Sequence, residues 1–154
     1  MSDLPGGDPK SDARLSALYQ EVILDHYRRP RNKGSLPEPT GSASLRNPLC
    51  GDEVDVQVDV RDGVVTDVRF AGHGCSISQA SASMMTDLVR GRTPEEVRAL
   101  GERFAAMIRG ESGAAGDAAL GQARALAGVS RFPTRVRCAM IAWEAVARAL
   151  GRSG

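Results

Sequence analysis

Residues 53–70 read EVDVQVDVRDGVVTDVRF, and their alternation decides the fold class. Val54, Val56, Val58 and Val60 are interleaved with Asp55, Gln57, Asp59 and Arg61, so a strand here turns an apolar face inward and a polar face outward. Asp62–Gly63 tolerates the positive φ of a two-residue turn, and Val64, Thr66, Val68 and Phe70 repeat the alternation on the way back. The stretch predicts an antiparallel hairpin.

Upstream of it, Leu15, Leu18, Tyr19 and Val22 recur at helical spacing and predict an amphipathic helix over 12–27. RRPRNKGSLPEPTG (28–41) ends that helix, because Pro30 disfavours helical backbone at Arg29, and the further prolines and glycines extend a loop. A short strand over 42–46 follows. Downstream, the period changes after GHGC (72–75): Ile77, Ala80, Met84 and Leu88 predict a helix ending near Gly91. Thr93, Pro94 and Glu96 then carry the signature of a capping box with proline at the first helical position, and Val97, Leu100, Phe104 and Ile108 face inward. The stretch 110–130 is rich in Gly and Ala, at best a short helix between loops. FPTRVRCAMIAWEAVARAL (132–150) closes the chain with a helix whose stripe is Val136, Met140, Trp143, Ala147 and Leu150. Strands flanked by runs of helices imply an α+β fold, a small antiparallel β-sheet packed against several helices. Residues 1–11, polar and carrying Pro and Gly, read as a mobile tail, and 12–154 as a single domain.

Composition narrows the function. The chain has 154 residues, with 20 Lys plus Arg against 19 Asp plus Glu, interspersed rather than in blocks. That balance argues against a nucleic-acid binder working by bulk electrostatics. No apolar run approaches the length of a membrane span, and the N-terminal residues lack the apolar centre of a secretory signal. Three widely spaced cysteines fit a reducing compartment, and the expected location is cytoplasmic.

The cysteines all fall at element ends. Cys50 and Asp52 stand two apart at a strand entrance, with Gly51 between them. Cys75 follows Gly72 and Gly74 at a helix start, where unsatisfied N–H groups favour a thiolate. Cys138 lies early in the last helix, after Arg135 and Arg137. Three thiolates and a carboxylate suffice for a tetrahedral Zn²⁺ site or for an iron–sulfur cluster, although the paired C-x₂₋₄-C spacing of a zinc finger is absent. Residue types alone leave both a shared metal site and three separately buried thiols open.

In order along the chain, LDHYRRPRNKG (24–34), NPLCGD (47–52), GHGCSISQASASMM (72–85) and FPTRVRCAMIAWEA (132–145) resemble the motifs of the SufU/IscU (NifU N-terminal-like) family of iron–sulfur cluster assembly proteins. The resemblance spans about Leu15 to Leu150. It implies a compact α+β fold with the cysteines at one exposed end, and Cys50, Asp52, Cys75 and Cys138 as metal ligands. Two departures separate the branches of the family. Arg137 stands where IscU-type scaffolds carry histidine, and guanidinium cannot ligate a metal. The stretch 110–133 resembles an extra segment of SufU-type proteins. The SufU resemblance implies Zn²⁺ as cofactor and a SufS-type cysteine desulfurase as partner, with Cys50 accepting persulfide sulfur and downstream iron–sulfur assembly proteins receiving it. If such a protein is classed as an enzyme, it is a zinc-dependent sulfurtransferase. The alternative is an IscU-like scaffold holding iron or an iron–sulfur cluster. Arg135, three residues before Cys138 on a helix, is expected to be the closer charge partner of the centre than Arg137.

Other candidates weigh less. His73 reads as a neighbour of the site rather than a ligand, His26 as a packing or capping residue, and Met84 and Met85 as core. The arginines of 28–34 read by default as a solvated basic loop. A cysteine hydrolase needs a base within reach of its thiol, and the chain holds two histidines, one of them in the first helix. A purely structural zinc module is disfavoured by glycine-flanked cysteines in a chain long enough to build its own core.

Overall fold

The computed structural model describes residues 9–48 and 51–152, the side chains of 9–18 and 152 excepted. Helix α1 (Pro9–Arg28) leads into strands β1 (Gly41–Asn47), β2 (Asp52–Arg61) and β3 (Val64–His73). Helices α2 (Ser76–Val89) and α3 (Pro94–Ile108) follow, then 3₁₀ turns over Ala114–Gly116 and Ala118–Arg131, and finally α4 (Pro133–Arg152). The order and classes of elements match the α+β expectation. Helix α1 begins three residues before the expected Asp12 and ends one residue after Tyr27. Leu15 and Leu18 lie outside the described side chains, as do residues 1–8 of the expected tail.

The three strands form one antiparallel sheet in the order β1-β2-β3. Asp62 (φ 53°) and Gly63 (φ 76°) both sit at positive φ, the condition for a primed hairpin turn matching strand twist. Val54, Val56 and Val58 are fully buried, each contributing about 1.5–3 kcal/mol over an exposed position. The returning strand departs from the expected alternation. A register shift between Asp59 and Val60 sets Asp59 against Asp67 and Val60 against Val65, leaving Thr66 unpaired between them. Val65, Val68 and Phe70 are therefore buried and Thr66 is exposed. A bulge re-phases the alternation in this way.

One sheet face packs on α4 and α2, whose other sides are covered by α1, α3 and the 3₁₀ segment. Helix α2 is thus wrapped all round: every residue from Ser78 to Thr86 is buried. Its hydroxyls survive there because each has a partner. Ser81 Oγ donates to Ala139 O at 2.7 Å, and Thr86 Oγ1 donates to Ser83 O at 2.7 Å. Ser83 Oγ accepts Arg31 N–H at 2.8 Å and donates to His26 Nδ1 at 2.7 Å. His26, fully buried, donates from Nε2 to Gln122 Oε1 at 2.6 Å, joining α1, α2 and the 3₁₀ segment. Burial holds its pKa below the ordinary 6.5. The packing role expected of His26 is what the fold gives it.

The basic loop after α1 is bound rather than merely solvated. Arg31 and Arg29 pair with Asp25 and hold that carboxyl below its usual range. Asn32 Nδ2 donates to Thr86 Oγ1 at 3.0 Å, Asn32 O accepts Phe70 N–H at 3.1 Å, and Gly34 N–H reaches Phe70 O at 2.8 Å. At the other end of β3, Val65 exchanges backbone hydrogen bonds with Gly91 and Arg92, each 2.8 Å.

The capping box forms as expected: Thr93 Oγ1 accepts Glu96 N–H at 3.1 Å, and Glu96 Oε1 accepts Thr93 N–H at 2.9 Å. Helix α3 docks by stacking Phe104 on Trp143, ring centroids 5.1 Å apart. Two expectations are corrected. The stretch 110–130 contributes core, with Leu120, Ala123, Ala125, Leu126 and Val129 buried and a break at Gly121 (φ 51°, ψ −130°). In α4, Ala147 is exposed, and the buried arc runs instead through Ala139, Ile141, Ala142, Ala145, Val146 and Ala149.

Candidate metal centre

Three elements converge at one end of the sheet. Asp52 opens β2 and is 1% exposed. Its Oδ1 accepts the Cys75 backbone N–H at 2.9 Å, while its Oδ2 is buried without a hydrogen-bond partner. A carboxylate oxygen in that condition costs free energy unless a proton donor or cation meets it. Cys75 precedes the first residue of α2 in extended conformation (φ −72°, ψ 170°) and makes no side-chain cap, so its thiol stays available where the helix dipole favours an anion. Cys138, in the second turn of α4, is fully buried. Its Sγ is 3.8 Å from Asn47 Nδ2 and 3.8 Å from Thr134 O.

One ligand atom each from Asp52, Cys75 and Cys138 lie within 4.8 Å of one another. Two sulfurs on a tetrahedral zinc are about 3.8 Å apart when Zn–S is about 2.3 Å, so small side-chain movements close the set. The sequence therefore identified three residues that the fold brings together. Cys50, the fourth expected ligand, lies outside the described residues; among those described, Gly51 (φ 72°) donates its N–H to Asn47 O at 2.8 Å and closes the turn that leads from β1 into β2. The donor set fits a metal ion or an iron–sulfur cluster: thiolates and a carboxylate, one oxygen of it unpartnered.

Gly74 shows how tightly the cradle is built. A Cβ there would stand 2.5 Å from Ser78 Oγ and closer still to Asp52 Oδ1. Ser78 is itself fully buried and donates to Cys75 O at 3.1 Å. Neither Ser78 nor Asn47 was singled out from the sequence. Serine and asparagine carry no chemical signature until packing assigns them a neighbour, and only their places inside NPLCGD and GHGCSIS could have marked them.

The remaining candidates sort by geometry. His73 is 73% exposed with Nε2 3.4 Å from Glu53 Oε1, apart from the three clustered ligands. Arg137 is bound to both carboxylate oxygens of Glu144 at 2.6 Å, two turns further along α4. Arg135 lines an open groove of about 820 Å³ together with Ser76, Ile77, Tyr19, Ile23 and Phe132. That groove begins next to Cys75 in the chain and carries the exposed ring of Phe132, 59% accessible.

Comparison with known proteins gives a consistent picture. The family model described as the NifU-like N terminal domain matches residues 18–151. An iron–sulfur cluster assembly scaffold protein IscU from Streptococcus pyogenes serotype M1 is 42% identical over 141 residues, covering 92% of this chain and 87% of that protein. A zinc-dependent sulfurtransferase SufU from Bacillus subtilis is 39% identical over 141 residues, covering 92% of this chain and 95% of that protein. Among solved structures, a putative iron–sulfur cluster assembly scaffold protein for the SUF system from Fervidobacterium islandicum superposes with a TM-score of 0.78 at 30% identity, covering 84% of this chain and 94% of that one. No helix among the described residues is long and apolar enough to cross a membrane.

Proposed function

Because the chain belongs to the NifU-like N-terminal family, the SufU/IscU group of iron–sulfur cluster assembly proteins, we propose that its Asp52–Cys75–Cys138 centre is where that assembly work is done. The observation that carries this is the convergence of the three ligand atoms within 4.8 Å, from residues 86 positions apart at the extremes (138 − 52). Cys50, two residues before Asp52, is proposed as the fourth ligand. Family membership implies a cysteine desulfurase as the sulfur source and downstream iron–sulfur assembly proteins as recipients.

The names of most similar proteins favour a scaffold, in which iron and sulfide are the cargo collected at this centre and passed on. A specific feature of this chain favours a second reading. The position before Cys138 is Arg137, which cannot ligate and is engaged with Glu144. In this reading Cys50, Asp52, Cys75 and Cys138 hold Zn²⁺, and the protein accepts sulfur from a SufS-type desulfurase. The ion, when bound, supplies positive charge that keeps the thiols deprotonated and damps their nucleophilicity. The chain's own step is an attack of the Cys50 thiolate on the terminal sulfur of the partner's cysteine persulfide. One S–S bond forms at Cys50 as the other breaks, and the partner's thiolate leaves with the electron pair. Arg135 is the proposed charge partner for the anionic centre.

One reconstitution separates the readings: purified protein with a SufS-type desulfurase, cysteine and ferrous iron. A scaffold takes up iron and sulfide together and gains the visible absorption of a cluster. A sulfur acceptor keeps its zinc and shows one added sulfur on Cys50 by mass spectrometry. If Asp52→Ala and Cys138→Ser match the wild type in both assays, the centre is not the functional site.

A further inference from the structure

Asn47 is the last residue of β1, paired across the sheet with Asp52, and it is 3% exposed. It serves the centre at two points. Its carbonyl accepts the Gly51 N–H at 2.8 Å, closing the turn into β2. Its side-chain amide points the other way, toward α4, and Nδ2–H donates to Cys138 Sγ at 3.8 Å. The packing of α4 on β1 is what brings the two together across 91 residues of chain.

Two contacts of this sulfur differ in chemical kind. Thr134 O, 3.8 Å away, is an acceptor and rewards a protonated S–H. The Asn47 amide is a donor and rewards the deprotonated sulfur that a metal requires. An N–H···S bond also withdraws electron density from a ligating thiolate and fixes its direction, as donors to ligand atoms commonly do. Asparagine at this place supplies what a purely apolar strand end could not.

We propose that Asn47 is a positioning residue of the metal centre, its amide orienting and electronically tuning the Cys138 thiolate. This rests on the reading of Cys138 as a metal ligand. Asn47 then ties the sheet end that bears Asp52 to the helix that bears Cys138, so both ligands share one support.

The test uses the full-length protein loaded with Co²⁺, whose sulfur-to-metal charge-transfer band reports the energy of the thiolate lone pairs, together with zinc affinity by chelator competition. Asn47→Leu keeps the branched shape and removes the donor; Asn47→Ser keeps a donor in a smaller volume. Asn47→Leu should lose about 10–100-fold in zinc affinity. Its charge-transfer band should move to lower energy, because the sulfur lone pairs are no longer stabilised by the N–H. Asn47→Ser should retain more of both, and it keeps the test decisive if the leucine variant folds poorly. Cys138→Ser is the control for the underlying reading: if it binds like the wild type with the same band, Cys138 is no ligand and both ideas fall together. If Cys138→Ser loses affinity while Asn47→Leu and Asn47→Ser keep the wild-type band energy and differ only in unfolding temperature, Asn47 is merely structural and the inference is overturned.

Discussion

Replacing Gly74 with alanine should weaken metal binding as well as destabilise the fold. The added Cβ would meet Ser78 Oγ at 2.5 Å, Asp52 Cγ at 3.0 Å and Asp52 Oδ1 closer than either. Something must move by most of an ångström. Ser78 and Asp52 are both enclosed, and the carboxylate, which takes the closer contact, is the group pushed hardest. Its displacement breaks the 2.9 Å bond from Cys75 N–H and swings the unpartnered Oδ2 away from the sulfurs. Overpacking of this kind costs about 1–3 kcal/mol of stability. For a chain of this size that corresponds to a fall of roughly 2–12 °C in the unfolding temperature of the metal-free protein. Misplacing one ligand should lower metal affinity about 10–100-fold, equivalent to about 1.4–2.8 kcal/mol. Gly91→Ala is the matched control. Gly91 has φ +84° with nothing within 4 Å of the new methyl, so it should cost about 1–2 kcal/mol through backbone strain alone and leave affinity intact. Calorimetry of the metal-free variants and chelator competition with Zn²⁺ measure the two quantities separately. Wild-type affinity in Gly74→Ala, or equal losses of affinity in both variants, would refute the cradle.

Two further expectations concern charge. His26 is buried with its pKa lowered, so as pH falls through 6.5 the unfolded chain takes up a proton that the folded chain resists. Its contribution is therefore complete above pH 6.5 and is lost as pH drops toward the depressed folded value; Arg31 reinforces the shift while Asp87 and Asp25 oppose it. The unfolding temperature should fall between pH 7.5 and 5, and His26→Gln should flatten that slope while lowering stability at pH 7.5; an unchanged slope would remove His26 as its source. Arg135→Ala should impair sulfur acceptance more than Arg137→Ala, since Arg137 is spent on Glu144. Equal, mild effects in a desulfurase-coupled assay would show that neither guanidinium matters to the centre.

What the sequence revealed depended on how strongly each residue type is tied to one environment. Alternating valines and Asp-Gly have few other uses, and the hairpin lies where they put it. Thr93 and Glu96 likewise specify a cap through chemistry confined to four residues. Asp52, Cys75 and Cys138 are readable because a carboxylate and thiols fall at element ends, two of them beside glycines, although only the fold shows them meeting. Alanine and glycine say little about which side of an element they occupy. For that reason helical spacing places Ala147 on a buried stripe that it does not join, and composition marks the stretch carrying Leu120, Leu126 and Val129 as at best a short helix between loops, although all three are buried. The bulge at Asp59–Val60 is invisible to alternation, which assumes a constant period; the extra residue puts Val65 rather than Val64 and Thr66 on the buried face, while Val68 and Phe70 keep theirs. Arginines look solvated in any sequence. The bonds from Arg31 N–H to Ser83 and from Asn32 to Thr86 show that the loop is fastened to α2.

The closure of β3 bears on how this protein behaves at high concentration. An outermost strand offers unpaired N–H and C=O groups to any extended chain that drifts by, which is the usual route to sheet-mediated aggregation. Here Phe70 is occupied by Asn32 and Gly34, and Val65 by Gly91 and Arg92. An incoming strand would have to peel away four hydrogen bonds, forfeiting roughly 2–6 kcal/mol before gaining anything. Both tethers come from turns formed outside the hairpin, so the rim is sealed only after α1 and α2 have docked. A folding intermediate with the hairpin made and the helices still adrift would leave this rim bare, and refolding from denaturant should then lose protein to aggregates most heavily when docking is slowed.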